Sequence, residues 1–153
     1  MKSLKFAAVA MAAFAVSAAG AAVAQDYNQS PAYGSVSLQA GFLPDPYLTN
    51  VQAGGSIDSS RTIGCAGFVA NAPDFRLNYS AGSYPLTIGA VSGGDTTIVV
   101  NGPDGSGDCA DDSGGVPNPS LTFSRPMSGQ YDIWVGTYSS GSLIPAQIVI
   151  TEQ

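Results

Sequence analysis

An all-β fold is predicted for this chain from three observations. β-branched and aromatic residues alternate with polar ones at period two in several short runs. The runs recur every 8 to 12 or so residues with Gly, Pro, Asn or Asp between them, the spacing of a β-sandwich or a barrel. No stretch after residue 24 shows a credible helical period.

The chain opens with MKSLKFAAVAMAAFAVSAAGAAVAQ, where Lys2 and Lys5 precede an apolar run and Ala22, Val23 and Ala24 precede Gln25. This reads as a secretory signal peptide, residues 1–24, cleaved after Ala24. Gly20 and its small neighbours cut the run short of the roughly 20 apolar residues a bilayer needs, and no later segment is apolar for long enough. The expected product is a periplasmic or extracellular chain from Gln25 to Gln153, a length that suits one domain around a single core. It keeps only Arg61, Arg76 and Arg125 as cations against eleven carboxylates, a surface that repels phosphate backbones and argues against nucleic-acid binding. Two cysteines in an exported chain are most simply a disulfide, Cys65 to Cys109, which in the chain-entropy account contributes roughly 4 kcal/mol.

Residues 25–40 are polar and contain Tyr, Ser and Pro, as in a partly ordered N-terminal arm; Val36 and Leu38 form one alternating piece suited to a sheet edge. The β-sandwich domain is expected over residues 41–153. Gly41 to Pro46 is a connector, since its two prolines restrict their neighbours and remove ladder donors. Tyr47 to Ala53 reads as a strand ended by Gly54 and Gly55. Ile57 to Thr62, with Asp58, Ser59 and Ser60, reads as a turn or a polar outer strand rather than a helix.

Beyond Cys65 the alternation is plain. Phe75, Leu77 and Tyr79 form one face of a strand, and Leu86, Ile88 and Ala90 the face of the next. Ile98 and Val100 follow Asp95, and Leu121 and Phe123 precede the Arg125, Pro126 turn. Tyr131, Ile133 and Val135 point one way, while Asp132, Trp134 and Gly136 point the other. Ile144, Ala146, Ile148 and Ile150 share one side of the last strand. Within this region, Gly93 to Tyr138 reads as strand, acidic Gly-rich loop, strand, tight turn, strand, and it holds the only tryptophan.

Histidine is absent and both lysines lie in the leader, so neither a Ser/His/Asp nor a Ser/Lys hydrolase can be assembled, and zinc hydrolysis lacks its nitrogen ligands. Asp112, Ser113 and Gly114 match the short aspartic-protease signature, but Cys109, Ala110 and Asp111 stand where an apolar strand should lead into it. A glycosidase pair from Asp108, Asp111 or Asp112 needs one carboxyl held protonated in an apolar pocket, which a Gly-rich acidic loop does not offer. The chain is therefore read as non-catalytic.

Two binding chemistries are open. Asp104, Ser106, Asp108, Asp111 and Asp112 put oxygen donors in one short loop, with Gly105, Gly107, Gly114 and Gly115 freeing its backbone. Asp95 and Asn101 complete a candidate calcium set, because hard cations take six to eight oxygens. The alternative is a solvated acidic loop pinned by Cys109. On the other side of the strand, Trp134 and Tyr138 form an aromatic ligand platform if their face is open. If the Gly41 to Gly64 segment covers that face, Trp134 is core instead, and burial is the favoured expectation.

Asp74 to Tyr79, Leu86 to Ile88, Asp95 with Thr96 to Val100, the Asn101–Gly105 turn, the acidic loop, Ser120 to Phe123 and Gly129 to Val135 together resemble the bacterial pre-peptidase C-terminal domain. The likeness runs from about Cys65 to Thr151. It implies a jelly-roll-like antiparallel β-sandwich, non-catalytic, sometimes calcium-loaded and usually appended to secreted hydrolases. Here no hydrolase accompanies it, and Gly41 to Gly64, which has no counterpart in the resemblance, is expected to add strands to one sheet. The function expected is an exported binding or accessory module for a protein or carbohydrate partner. A self-associating surface protein is the second reading.

Overall fold

The computed structural model describes residues 25–112 and 118–153. The expected signal peptide, residues 1–24, lies outside them, as do Ser113, Gly114 and Gly115 of the acidic loop. No helix among the described residues is long and apolar enough to cross a membrane.

Two sheets pack face to face. The first holds β1 (Ser35–Gln39), β3 (Ile57–Asp58), β4 (Phe68–Val69), β5 (Phe75–Ser80), β7 (Thr96–Asn101), β8 (Gly107–Ala110) and β10 (Gly129–Thr137). The second has the order β2 (Tyr47–Ala53), β11 (Ile144–Thr151), β6 (Leu86–Ser92), β9 (Ser120–Phe123). Every pairing is antiparallel except β1 with β5, which run parallel from Ser35 opposite Arg76 to Gln39 opposite Ser80. The fold is thus an all-β sandwich. Val36 and Leu38 do sit on an edge strand, and β5, β6, β10 and β11 turn inward the faces that their period-two patterns predict.

The main core lies between the sheets, where Leu77, Leu86, Ile88, Ile98, Ile133, Ile148 and Ile150 are fully enclosed. Tyr131 adds more than area, because its hydroxyl donates to the Met127 carbonyl at 2.8 Å and accepts from the Met127 N–H at 3.1 Å. A buried phenol is thereby satisfied, and the turn between β9 and β10 is fixed.

A second, smaller core lies on the opposite face of the first sheet. Trp134 and Val99 point outward from β10 and β7 and are covered by Cys65, Val69 and the half-buried Ile57. The cover is the segment between β2 and β5. Two expectations change here. The Gly41 to Gly64 segment was expected to add to one sheet, yet it supplies β2 to the second and β3 to the first. Ile57 to Thr62 was read as a turn or outer strand, yet after β3 it makes one helical turn, α1 (Ser59–Thr62). Asp58 caps that turn, its carboxylate accepting the Ser60 N–H at 3.1 Å, so the polar triplet is an N-cap signal. Ser59 is buried within the cover, its hydroxyl within hydrogen-bond reach of the Cys65, Ala66 and Gly67 carbonyls.

Glycine lets the cover sit this close. A Cβ at Gly55 would stand 2.1 Å from the Val69 carbonyl, and one at Gly136 would stand 2.5 Å from Thr97 Oγ1 and 3.0 Å from the Phe68 oxygen. The Cys65–Cys109 disulfide then ties the cover to β8. A third correction concerns β8, since part of the predicted acidic loop, Gly107–Ala110, is a strand whose Cys109 lies opposite Val99. Replacing both cysteines by serine is predicted to lower stability by about 2–4 kcal/mol and to move Trp134 emission toward the red as the cover loosens. Denaturant melts followed by fluorescence check this, and an unchanged midpoint and spectrum would contradict it.

Candidate functional site

Strand β10 is served along one edge by two successive partners. β5 pairs with Gly129–Ile133, and β4 meets the same edge only at Thr137. Between them Val135 has no strand to bond. Its N–H donates instead to Asp74 Oδ2 at 2.7 Å, and its carbonyl accepts the Gly54 N–H at 2.8 Å. Asp74 is only 2% exposed, and burial pushes its carboxyl up to about 7 against the pull of the Val135 N–H. It is a structural carboxyl, remote from any open surface.

Beside it, Arg76 Nε donates to the buried Asp132 Oδ1 at 2.6 Å, and Gln130 Nε2 donates to Asp132 Oδ2 at 2.8 Å. The guanidinium also donates through Nη2 to the carbonyls of Tyr27 and Gln29, at 2.7 and 3.1 Å. Arg76 therefore holds residues 25–33 against the outer face of the first sheet, helped by bonds from Asp26 N to the Asn71 carbonyl and from Ala32 N to the Pro73 carbonyl.

This arm walls the first two of a line of three cavities. The first, of about 210 Å³, has Trp134 and Val99 at its base, with Thr62 and Ile63 of the cover, Gln25 and Tyr27 of the arm, and Asn101, Gly105 and Gly107 of the β7–β8 hairpin around it. It shares Tyr27, Asn101 and Gly105 with a second, of about 390 Å³, which reaches Ser128 and Gln130. These two residues also line a third, of about 430 Å³, together with Ser37, Asn78 and Ser80. Among the described residues no cationic side chain lines any of the three, and one carboxylate, that of Asp132, lines the second. Together they make a groove of amide and hydroxyl side chains with the half-exposed Tyr27 ring near one end.

The residues singled out from sequence fall differently. Trp134 is 1% exposed beneath the cover, so the platform it was to share with Tyr138 is not formed. Tyr138 emerges past the end of β10, where burial and then the nearby Asp111, Asp95 and Asp112 carboxylates raise its phenol pKa. The predicted calcium set is divided by the hairpin. Asn101 lies opposite Gly107 at its turn end, whereas Asp95 precedes Thr96 six residues back along β7, about 20 Å away at the usual strand rise. Ligands of one calcium ion must each approach within about 2.3–2.6 Å of it. Asp104 is committed locally: its Oδ1 accepts from the Ser106 N–H and hydroxyl, which lower its pKa. Asp108 stands on β8 opposite Val100. No group of three or more His, Cys, Asp or Glu side chains among the described residues could hold a metal ion. Asp95, Asn101, Asp104, Asp108, Asp111 and Asp112 therefore do not fit one coordination sphere.

Sequence reasoning did not find the groove. Its residues are scattered from Gln25 to Trp134, and their types are ordinary for an exposed sheet face. Only Tyr27 in a polar arm offered a signal.

No family model and no curated protein matches the chain. Among solved structures, it is similar to the pre-peptidase C-terminal domain of collagenase from Bacillus anthracis, at 12% identity over 76% of this chain and 94% of that one, with a TM-score of 0.46. It is also similar to PliG of Aeromonas hydrophila, a periplasmic inhibitor of g-type lysozyme, at 12% identity over 78% of this chain and 98% of that one, with a TM-score of 0.41.

Two predictions test how the site is supported. Asp74 keeps its proton in the folded chain up to a pH of about 7 but loses it near 3.8 when unfolded. Its contribution to stability is thus complete at acid pH and is lost as pH rises from about 4 to about 7, by up to a few kcal/mol. Asp74→Asn, which keeps an acceptor for Val135, should flatten the melting temperature over that window relative to the parent chain; two curves of identical slope would contradict this. Arg76→Met should cost about 3–5 kcal/mol by leaving Asp132 buried and unpaired. It should also open residues 25–33 to proteolysis, and an arm as resistant as the parent's would contradict the pinning role.

Proposed function

We propose that this protein is an extracytoplasmic, non-catalytic binding module whose ligand lies along the outer face of the first sheet, and that the ligand is a neutral carbohydrate chain. The observation that carries the reading is the groove from Tyr27 past Asn101, Ser128 and Gln130 to Asn78 and Ser80. Its hydroxyl and amide groups both donate and accept, as sugar hydroxyls require, and a half-exposed ring offers a stacking face. With no cationic side chain among the described residues of its lining, and with the Asp132 carboxylate there, the groove disfavours an anionic ligand.

Compartment and chemistry agree with this. A disulfide persists in oxidising surroundings outside the cytoplasm. The carboxyl with the most acid-like catalytic pKa, Asp74, lines none of the three cavities and is spent on the Val135 N–H. The carboxyl that does line the groove, Asp132, is bonded to Arg76 and Gln130, an arrangement that supports a structural role over general acid catalysis.

Titration with soluble cello-, chito- and malto-oligosaccharides tests the proposal. At least one series should bind, and both Tyr27→Ala and Asn78→Ala should weaken it several-fold while leaving the melting temperature within a few degrees. Absence of binding by every series at millimolar concentration would overturn the reading. So would binding indifferent to both substitutions. Concentration-dependent dimers that bury the groove would support the self-associating surface protein in its place.

A further inference from the structure

We infer that the 210 Å³ cavity beside Trp134 is a subsite for the acetamido group of an N-acetylated sugar. The inference rests on the carbohydrate reading and adds which sugar the groove selects.

The cavity is small and mainly apolar, with the Trp134 ring, Val99 and Ile63 among its lining. Two of its residues carry nitrogen donors with nothing to bond. Trp134 Nε1 and Gln25 Nε2 are buried and have no hydrogen-bond partner among the described residues. A buried N–H left unpaired costs about 1–3 kcal/mol, so a ligand that supplies an acceptor recovers stabilisation that the free protein forgoes. The acceptor should be neutral, because no cationic side chain among the described residues lines the cavity. It should be joined to a small apolar group, because Val99, Ile63 and the Trp134 ring make up much of the wall. An acetamido group meets both conditions, its carbonyl oxygen between the two donors and its methyl against Val99 and Ile63. For scale, a cavity of about 150 Å³ admits benzene, so 210 Å³ holds this substituent with part of its ring.

Access has a physical route. The Gln25 side chain is held by the Thr62 hydroxyl at 3.3 Å and lies where the arm begins. A turn of this side chain, which is part of the cavity wall, requires neither sheet to move. The neighbouring groove continues directly from this cavity through Tyr27, Asn101 and Gly105, which leaves the next sugar ring in contact with the amide and hydroxyl groups of the groove.

Chitotriose and cellotriose differ only in carrying acetamido or hydroxyl groups at the 2-positions, and they are the probes. The single tryptophan gives a single indole N–H resonance in a nitrogen-15 correlation spectrum. The inference expects chitotriose to bind at least tenfold more tightly and to move that resonance downfield, as a new hydrogen bond forms. Gly107→Leu supplies a blocking control. Gly107 lies opposite Asn101 and shares its outward face, and a Cβ there meets no atom within 4 Å, so the fold tolerates the change while the side chain crowds the cavity. That variant should keep its melting temperature and lose the preference. Equal affinity for the two probes with a fixed indole resonance would overturn this inference and leave the carbohydrate reading standing. Failure of both probes, and of the other glycan series, would overturn the two together. A preference for chitotriose unaffected by Gly107→Leu would place acetamido recognition outside this cavity and also overturn the inference.

Discussion

The structure depends on closing both faces of β10. A strand of a two-sheet sandwich ordinarily gives one face to the core and the other to water, and the outward face here would expose the indole of Trp134. Covering it with Ile57, Cys65 and Val69 turns one layer of the sandwich into the floor of a second core. The indole is among the largest apolar groups in the chain, and at about 25 cal/mol per Å² its enclosure outweighs any one surface hydrogen bond or ion pair. Most of the unusual local features follow from that closure. The glycines at 55 and 136 permit the contact, Ser59 gathers the carbonyls of the loop between α1 and β4, and the disulfide joins the cover to β8.

Closing the outer face requires the cover to enter the sheet, and it does so just before β5 begins. Asp74 and Gly54 serve the Val135 N–H and carbonyl across the gap, so a carboxyl takes the place of a missing strand. Immediately beyond, Arg76 and Asp132 fasten the N-terminal arm to the same sheet. The groove is the space left between cover, arm and hairpin. Its geometry thus derives from structural contacts, and its chemistry from the side chains that those contacts leave facing outward.

How much of this the sequence could tell differs by residue. The alternation in Phe75–Tyr79, Leu86–Ala90 and Ile144–Ile150 announced both strands and inward faces, because one buried face imposes a period of two. Strand β7 is enclosed on both faces at Thr96–Val100, and there alternation says nothing of the outer layer. Strand β8 was hidden because Gly107, Asp108 and Cys109 have turn-like composition, and its pairing with β7 is what makes it a strand. The divided carboxylates show the same limit. Asp95 and Asn101 are near in sequence, but an extended strand puts them at opposite ends of the sheet. Trp134 was placed on the outward face correctly, while its cover was only one of two readings, since nothing local to Trp134 encodes what packs upon it.

Native-state hydrogen exchange tests the central claim most directly. If β10 is closed on both faces, the amides from Ile133 to Thr137 exchange as slowly as those of β6 and β11, through global unfolding alone. Exchange of that segment well ahead of β6 and β11 in the disulfide-bonded chain would show the cover to be loosely held, and would contradict the account.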